Sequence, residues 1–285
     1  MIVGAQKAGT TSLKNYLIEH PGVCGNERSE ITYFISDEEY ALGYDEIHAR
    51  YYKDPRKDHA VLLGKSVGIM YLPEAARRLR EHNPNVHIVV VLRNPVDRSY
   101  SGYWYARGKG WEDIERFEDA FWADSSRFKE LVKQRNCAYL HRSLYDLHLK
   151  MLFETFGRDR VHVFLFEDLR SDPVGLCQQI YHSIGVDSQF TPQAKRRYNK
   201  ASRPASMSLA HLIGSDSPIR RILKSVLPEK TRHAIKGRLR KVLEREFVPP
   251  VMATETRRQL VDYFKEHNAR LAEMIGRDLQ SWDRV

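Results

Sequence analysis

Short apolar runs at residues 1–3, 61–66, 86–92 and 160–166 predict strands, and 86–92 is apolar almost throughout. A strand of that kind belongs in the middle of a parallel sheet. Between the runs the apolar positions recur at helical spacing. Leu13, Tyr16 and Leu17 mark a helix over residues 10–19, ended by His20-Pro21-Gly22. Leu72, Ala75, Ala76 and Leu79 mark another over 72–82. Further helical patterns cover 95–106, 117–134, 138–156 and 173–184, the last closed by Gly185. Asn94-Pro95 reads as a cap followed by proline at the first helical position. A final helix over 254–275 carries Leu260, Val261, Phe264, Leu271 and Ile275 inward and stops at Gly276. Residues 22–34 read as loop and extended chain, and 37–52 as short helices.

This alternation predicts an α/β fold: a P-loop-like parallel sheet with helices on both faces. Ligands on such sheets gather beyond the carboxyl ends of the strands. Lys7, Lys65 and Arg93 each follow a predicted strand end, so three signals converge on one crevice.

The first of these ends carries the most chemistry. Gly4 and Gly9 bracket Lys7, and Thr10, Thr11 and Ser12 open the helix that follows. The first N–H groups of a helix lack internal partners and lie at the positive end of its dipole, which makes a cradle for an anion. A Walker A loop would put lysine after the second glycine, but Thr10 stands there. A nucleoside-triphosphate site also needs a carboxylate for magnesium, and the strand over 86–92 ends in Arg93 instead. The pattern therefore favours anion binding without metal. An ordinary glycine turn is the plain alternative.

Gly4-Ala-Gln-Lys-Ala-Gly-Thr-Thr-Ser-Leu13 resembles the 5′-phosphosulfate loop of sulfotransferases that use 3′-phosphoadenosine 5′-phosphosulfate (PAPS). Leu92-Arg-Asn-Pro-Val-Asp-Arg-Ser-Tyr-Ser101 resembles their 3′-phosphate motif. Weaker similarity runs through His20-Pro21, Glu30, Lys65-Ser66, Glu167-Asp168-Leu169 and the closing stretch from Gly276 to Trp282. The likeness covers nearly the whole chain and is nearest to the heparan-sulfate-type and related bacterial carbohydrate or metabolite sulfotransferases.

The resemblance implies a sulfotransferase fold in a single domain over 1–285, with a basic helical lid or insertion at about 205–246. It implies PAPS as co-substrate and adenosine 3′,5′-bisphosphate (PAP) as product, with no metal. Lys7, Ala8, Gly9, Thr10, Thr11 and Ser12 would hold the 5′-phosphate end, and Lys7 would stabilise the leaving oxygen. Arg93 and Ser101 would hold the 3′-phosphate. Lys200 and Arg203 lie in a stretch resembling the late loop that closes over it.

Glu30 falls where these enzymes carry the glutamate that takes the acceptor's proton; a surface or ion-paired glutamate is the alternative. Lys65 matches a lysine beside the transferring sulfate, or else is a strand-end lysine in water. Ser66 would assist it. Two departures bear on the acceptor: Ser29 replaces the usual lysine, and Thr32 stands where a histidine is common. His141 and Arg142 read as helix-surface residues.

The 285 residues carry a net charge of +9, of which +8 lies in residues 219–241. That segment suits an anionic membrane surface, an acidic acceptor or a solvated lid. It lacks the interleaved aromatics that nucleic acid would need. No apolar run approaches the roughly 20 residues of a membrane span, and no signal peptide precedes the first strand. That strand is short at its start, which leaves room for residues before Met1. Three cysteines, Cys24, Cys137 and Cys177, odd in number, widely spaced and without a CxxC pair, suit a reducing, cytoplasmic location. The resemblance implies a carbohydrate or small metabolite as acceptor. A metal-dependent P-loop kinase and a non-catalytic nucleotide- or polyanion-binding protein are the alternatives.

Overall fold

The computed structural model describes residues 1–52, 60–123, 134–194, 202–204, 244–246 and 248–285. In chain order the elements are β1 (Ile2–Gly4), α1 (Thr10–Leu17), β2 (Val23–Gly25), α2 (Asp37–Ala41), α3 (Tyr44–Tyr51), β3 (Val61–Leu63), α4 (Pro73–His82) and β4 (Ile88–Leu92). Then come α5 (Pro95–Gly108), α6 (Phe117–Trp122), α7 (Tyr145–Phe156), β5 (Val161–Leu165), α8 (Phe166–Ser171) and α9 (Pro173–Ile184). β6 (Ser202–Pro204), β7 (Glu244–Glu246) and α10 (Thr254–Ile275) complete the set.

The chain divides into two compact units. The first holds residues 1–95, 144–199 and 264–284, the second 96–143, 200–263 and 285. In the first unit, β1, β4 and β5 pair in parallel, as do β2 and β3. A parallel bridge between Ile2 and Lys65 joins the two sets. It is tied by the Ile2 N–H on the Gly64 carbonyl (2.8 Å) and the Ser66 N–H on the Ile2 carbonyl (2.9 Å). The resulting order is β2-β3-β1-β4-β5. Every residue of β1 and β4 is buried, as their unbroken apolar runs require. α4 packs with α7, and α1 with α9, covering the sheet on both faces.

From β1 the chain travels outward to β2 and β3, then returns past β1 to β4 and β5. The strand order therefore reverses beside β1, and at such a switch point the loops leaving neighbouring strands part to open a crevice. The loop after β1 and the turn after β4 bound it.

Gly185 acts as the expected stop, and two further caps are seen. Pro73 opens α4, Asp172 accepts the Gly175 N–H at the start of α9, and Gly185 (φ 76°) ends that helix. Other expectations are corrected. The helix expected from residue 138 begins only at Tyr145, after short 3₁₀ turns at Gln134–Cys137 and His141–Ser143. The fully buried Arg98 explains that, because its guanidinium donates to the Tyr139 carbonyl and to the Ser143 hydroxyl (2.7 Å). This draws the Tyr139 carbonyl out of a helical ladder. Arg142 is buried on the second turn, not exposed on a helix.

In the second unit β6 and β7 pair antiparallel, with Arg203 opposite Arg245. The helix expected over 117–134 is observed as α6, and 124–133 lie outside the described residues. Lys200 and the basic segment 219–241 also lie outside them, as does most of the expected lid.

Candidate active site

The loop after β1 is bound to its neighbours before it turns. The Ala5 N–H donates to the Val91 carbonyl of β4 (2.7 Å), and the Gln6 N–H to the hydroxyl of buried Tyr71 (3.0 Å). Lys7 (φ 72°) and Gly9 (φ 83°) then take left-handed angles, reversing the chain into α1. Gly9 is required twice over, since a Cβ there would also stand 2.7 Å from Leu169 Cδ2 and 3.1 Å from Phe166 Cε2. No acidic side chain lies in the first turn of α1, so the helix end keeps its positive character. Thr10 is buried there, and Lys7, Thr11 and Ser12 are half-buried.

Arg93 leaves the end of β4 and returns to this loop, donating to the Lys7 carbonyl at 3.2 Å. Its guanidinium also lies over the Phe166 ring, 5.1 Å from the centroid, and the Tyr145 hydroxyl holds its carbonyl at 2.9 Å. Two motifs 86 residues apart thus share one edge of the sheet. The closing stretch of the chain supports the same turn: Asn94 donates to the Trp282 carbonyl (3.0 Å), and the Trp282 indole N–H to Glu167 (3.2 Å). Ser101 lies half-buried on α5, within the second unit.

Glu30 and Lys65 meet. The Lys65 ammonium lies 2.7 Å from one Glu30 oxygen, and the Val67 N–H donates to the other at 3.0 Å. Lys65 is only 4% exposed, so it is not a strand-end lysine in water. Its backbone is fixed as well: its N–H donates to Asn26 Oδ1 (3.1 Å), and its carbonyl accepts from Ile31 (2.7 Å). Ser66 beside it is fully buried, and its hydroxyl has no partner among the described residues. Thr32 is engaged with α2 and α3, donating to Glu39 (2.9 Å), while its N–H reaches the Tyr51 hydroxyl (2.9 Å).

Sequence reasoning missed Lys14, Asn26, Tyr71 and Tyr145. Lys14 is buried on α1 beside Lys65 and Glu30. Burial, and then the charge of Lys65, lower its pKa to about 8 against the opposing pull of Glu30. Its place between Leu13 and Leu17 on the apolar stripe was the available signal.

Chemically, this edge offers a helix N-terminus, a guanidinium and buried ammoniums facing a carboxylate. The set can grip a polyanion, and one carboxylate is present to accept a proton.

Comparison with known proteins agrees. A family model described as "Sulfotransferase domain" matches residues 1–267. The chain is 25% identical over 300 residues to the mouse bifunctional heparan sulfate N-deacetylase/N-sulfotransferase 4, covering all of this chain and 31% of that protein. It is 25% identical over 296 residues to the human bifunctional heparan sulfate N-deacetylase/N-sulfotransferase 3, again covering 100% of this chain and 31% of the relative. The chain thus spans about a third of the length of these relatives. A sulfotransferase from Alicyclobacillus acidocaldarius has the same fold, with a TM-score of 0.71 at 24% identity over 99% of this chain and 97% of that one.

Proposed function

The chain belongs to the sulfotransferase domain family, and from that premise we propose that it moves the sulfuryl group of PAPS to a hydroxyl, or an amine, of a carbohydrate or small metabolite. The observation that supports this reading is the bond from Arg93 to the Lys7 carbonyl, which joins the two motifs that resemble donor-binding ones, on the strand next to the Lys65 that pairs with Glu30. The groups there fit a multiply charged donor, since the helix end, Lys7, Lys65 and Arg93 outnumber the Glu30 carboxylate.

In this reading the N–H and hydroxyl groups of Ala8, Gly9, Thr10, Thr11 and Ser12 hold the 5′-phosphate. Arg93 and Ser101, with Lys200 and Arg203, hold the 3′-phosphate. Glu30 takes the proton of the acceptor as its oxygen or nitrogen bonds to sulfur. The bond from sulfur to the bridging oxygen breaks on the opposite side, and Lys7 stabilises the charge that this oxygen gains. Lys65 passes from Glu30 to the sulfuryl oxygens, freeing the carboxylate as it does so. The products are PAP and the sulfated acceptor.

The names of the relatives support a carbohydrate acceptor and keep an amine in play. The proposal includes a cytoplasmic location, with residues 219–241 guiding an acidic or membrane-peripheral acceptor. Cys24, Cys137 and Cys177 are all free, which suits a reducing compartment. Among the described residues no helix is long and apolar enough to cross a membrane.

Calorimetric titration with PAP, without magnesium, tests the donor assignment. Wild type should bind, and Arg93→Ala should bind at least about thirtyfold more weakly. Absence of PAP binding, with binding of ATP and magnesium instead, would overturn it. A screen of acceptors with labelled PAPS, read by mass spectrometry, then identifies the product.

A further inference from the structure

Lys14 is the buried charge to which the transfer chemistry gives no task. It stands on α1 one turn beyond Thr10 and Thr11, and is 6% exposed. Its ammonium donates to the Asn26 carbonyl and, at 3.1 Å, to the Arg28 carbonyl. Asn26 is the hub of that loop: its side-chain N–H donates to the Arg28 carbonyl (2.5 Å), and its Oδ1 accepts the Lys65 N–H (3.1 Å). Glu30 follows Arg28 by two residues.

Burying an ammonium is costly, and an apolar side chain of similar length would fill the space more cheaply. What an apolar side chain cannot do is donate to two carbonyls at once. The bonds run from the helix whose N-terminus receives the donor to the loop that presents the proposed base. We propose that Lys14 is the positioning residue that ties the donor-binding helix to the Glu30 loop, so that Glu30 and Lys65 are set at a fixed place relative to the bound donor. This rests on the sulfotransferase reading above for its catalytic consequence, but not for the tether itself.

The tether is strongest while the ammonium is charged, and its lowered pKa brings the loss of that charge close to neutrality. The charged groups acting on it are Lys65 after β3 and Glu30 on the loop. α9, the helix packed on α1, brings Cys177 and Tyr181; burial pushes both upward, so they stay neutral through the same range.

Lys14→Met and Lys14→Arg separate the possibilities. Hydrogen–deuterium exchange needs no acceptor: amides of residues 26–31 should exchange at least about tenfold faster in Lys14→Met, and close to wild type in Lys14→Arg. Unchanged exchange in Lys14→Met overturns the tether, whatever the enzyme does. PAP affinity should stay within about twofold in both variants; if wild type itself binds no PAP, the donor reading fails while the exchange result stands.

With an acceptor from the screen, Lys14→Met should lower kcat by about 10- to 100-fold with little change in the KM for PAPS. The wild-type rate should fall on an alkaline limb near pH 8. Lys14→Arg should keep most of the activity and lose that limb, because a guanidinium stays charged. A limb that persists in Lys14→Arg, or a kcat unmoved in Lys14→Met, overturns the positioning role. Should Lys14→Met fail to fold, the limb in Lys14→Arg decides alone.

Discussion

At the carboxyl edge of the sheet, Lys65 pairs with Glu30 while Lys14 sits close enough to feel both charges. In the same compact unit, on α7, the buried Asp146 carboxylate is met by Arg270 Nε at 2.8 Å and by His267 Nδ1 at 2.9 Å. The two clusters use the same kinds of group and are built in opposite ways. The first places the Lys65 ammonium against one carboxylate just beyond β3, where the chain is turning, with the Lys14 ammonium near by on backbone carbonyls. The second closes a carboxylate on a guanidinium and an imidazole from α10, along the flank of two helices. An excess of buried cation disfavours folding unless an anion arrives, whereas a satisfied carboxylate clamps its elements together. On the function proposed above, the difference separates charge kept for chemistry from charge kept for the fold.

The largest effect expected at the first cluster comes from Glu30→Gln. If the carboxylate is there for chemistry, labelled-donor assays should show transfer reduced by at least about a hundredfold while PAP binds as before. If the Glu30–Lys65 pair is a clamp of the second kind, the same substitution should instead lower the urea midpoint and leave turnover near wild type. That result would erase the contrast.

How far this edge could be read from the chain differs residue by residue. The β1 loop and Arg93 were legible because glycine spacing, hydroxyls and an arginine ending an apolar strand act locally. The limits of α9 and α10 were legible for the same reason: Pro173 and Gly185 bound the one, and Gly276 follows the other. The burial of Lys65 was not legible, since a lysine after a strand looks alike whether or not a loop folds over it. Lys14 sat in plain view on an apolar stripe, but its partners are backbone carbonyls, which no side-chain pattern reports. α7 was predicted too long because the diversion of the Tyr139 carbonyl depends on Arg98, 41 residues away.

Asp146→Asn probes the second cluster and should act mainly on stability. Asparagine keeps the shape but loses the charge that Arg270 and His267 meet, and a hydrogen bond to a charged group contributes about 2 kcal/mol. The urea midpoint should fall accordingly, with PAP affinity unchanged. Loss of PAP affinity at full stability would put this cluster in the ligand site and break the comparison from the other side.

The smallest effect is expected where α10 gives way to the C-terminal stretch. Arg277 binds both oxygens of Asp168, at 2.9 and 3.1 Å, and the Leu165 N–H adds a third bond. Burial pushes the Asp168 carboxyl up, but the bonds from Arg277 and Leu165, with the Arg277 charge, outweigh it and hold the group below the usual aspartate value. A carboxyl lowered in the folded state contributes stability above its unfolded pKa, and that contribution disappears as pH falls through the folded value. Arg277 is 45% and Asp168 32% exposed, so solvent screening keeps the pair under about 1 kcal/mol. Asp168→Asn should therefore show a slightly lower urea midpoint than wild type at neutral pH and converge with it in acid. A gap that persists once Asp168 is protonated would mean that Arg277 works through packing on α8, and that even the exposed end of this region is held by shape rather than charge.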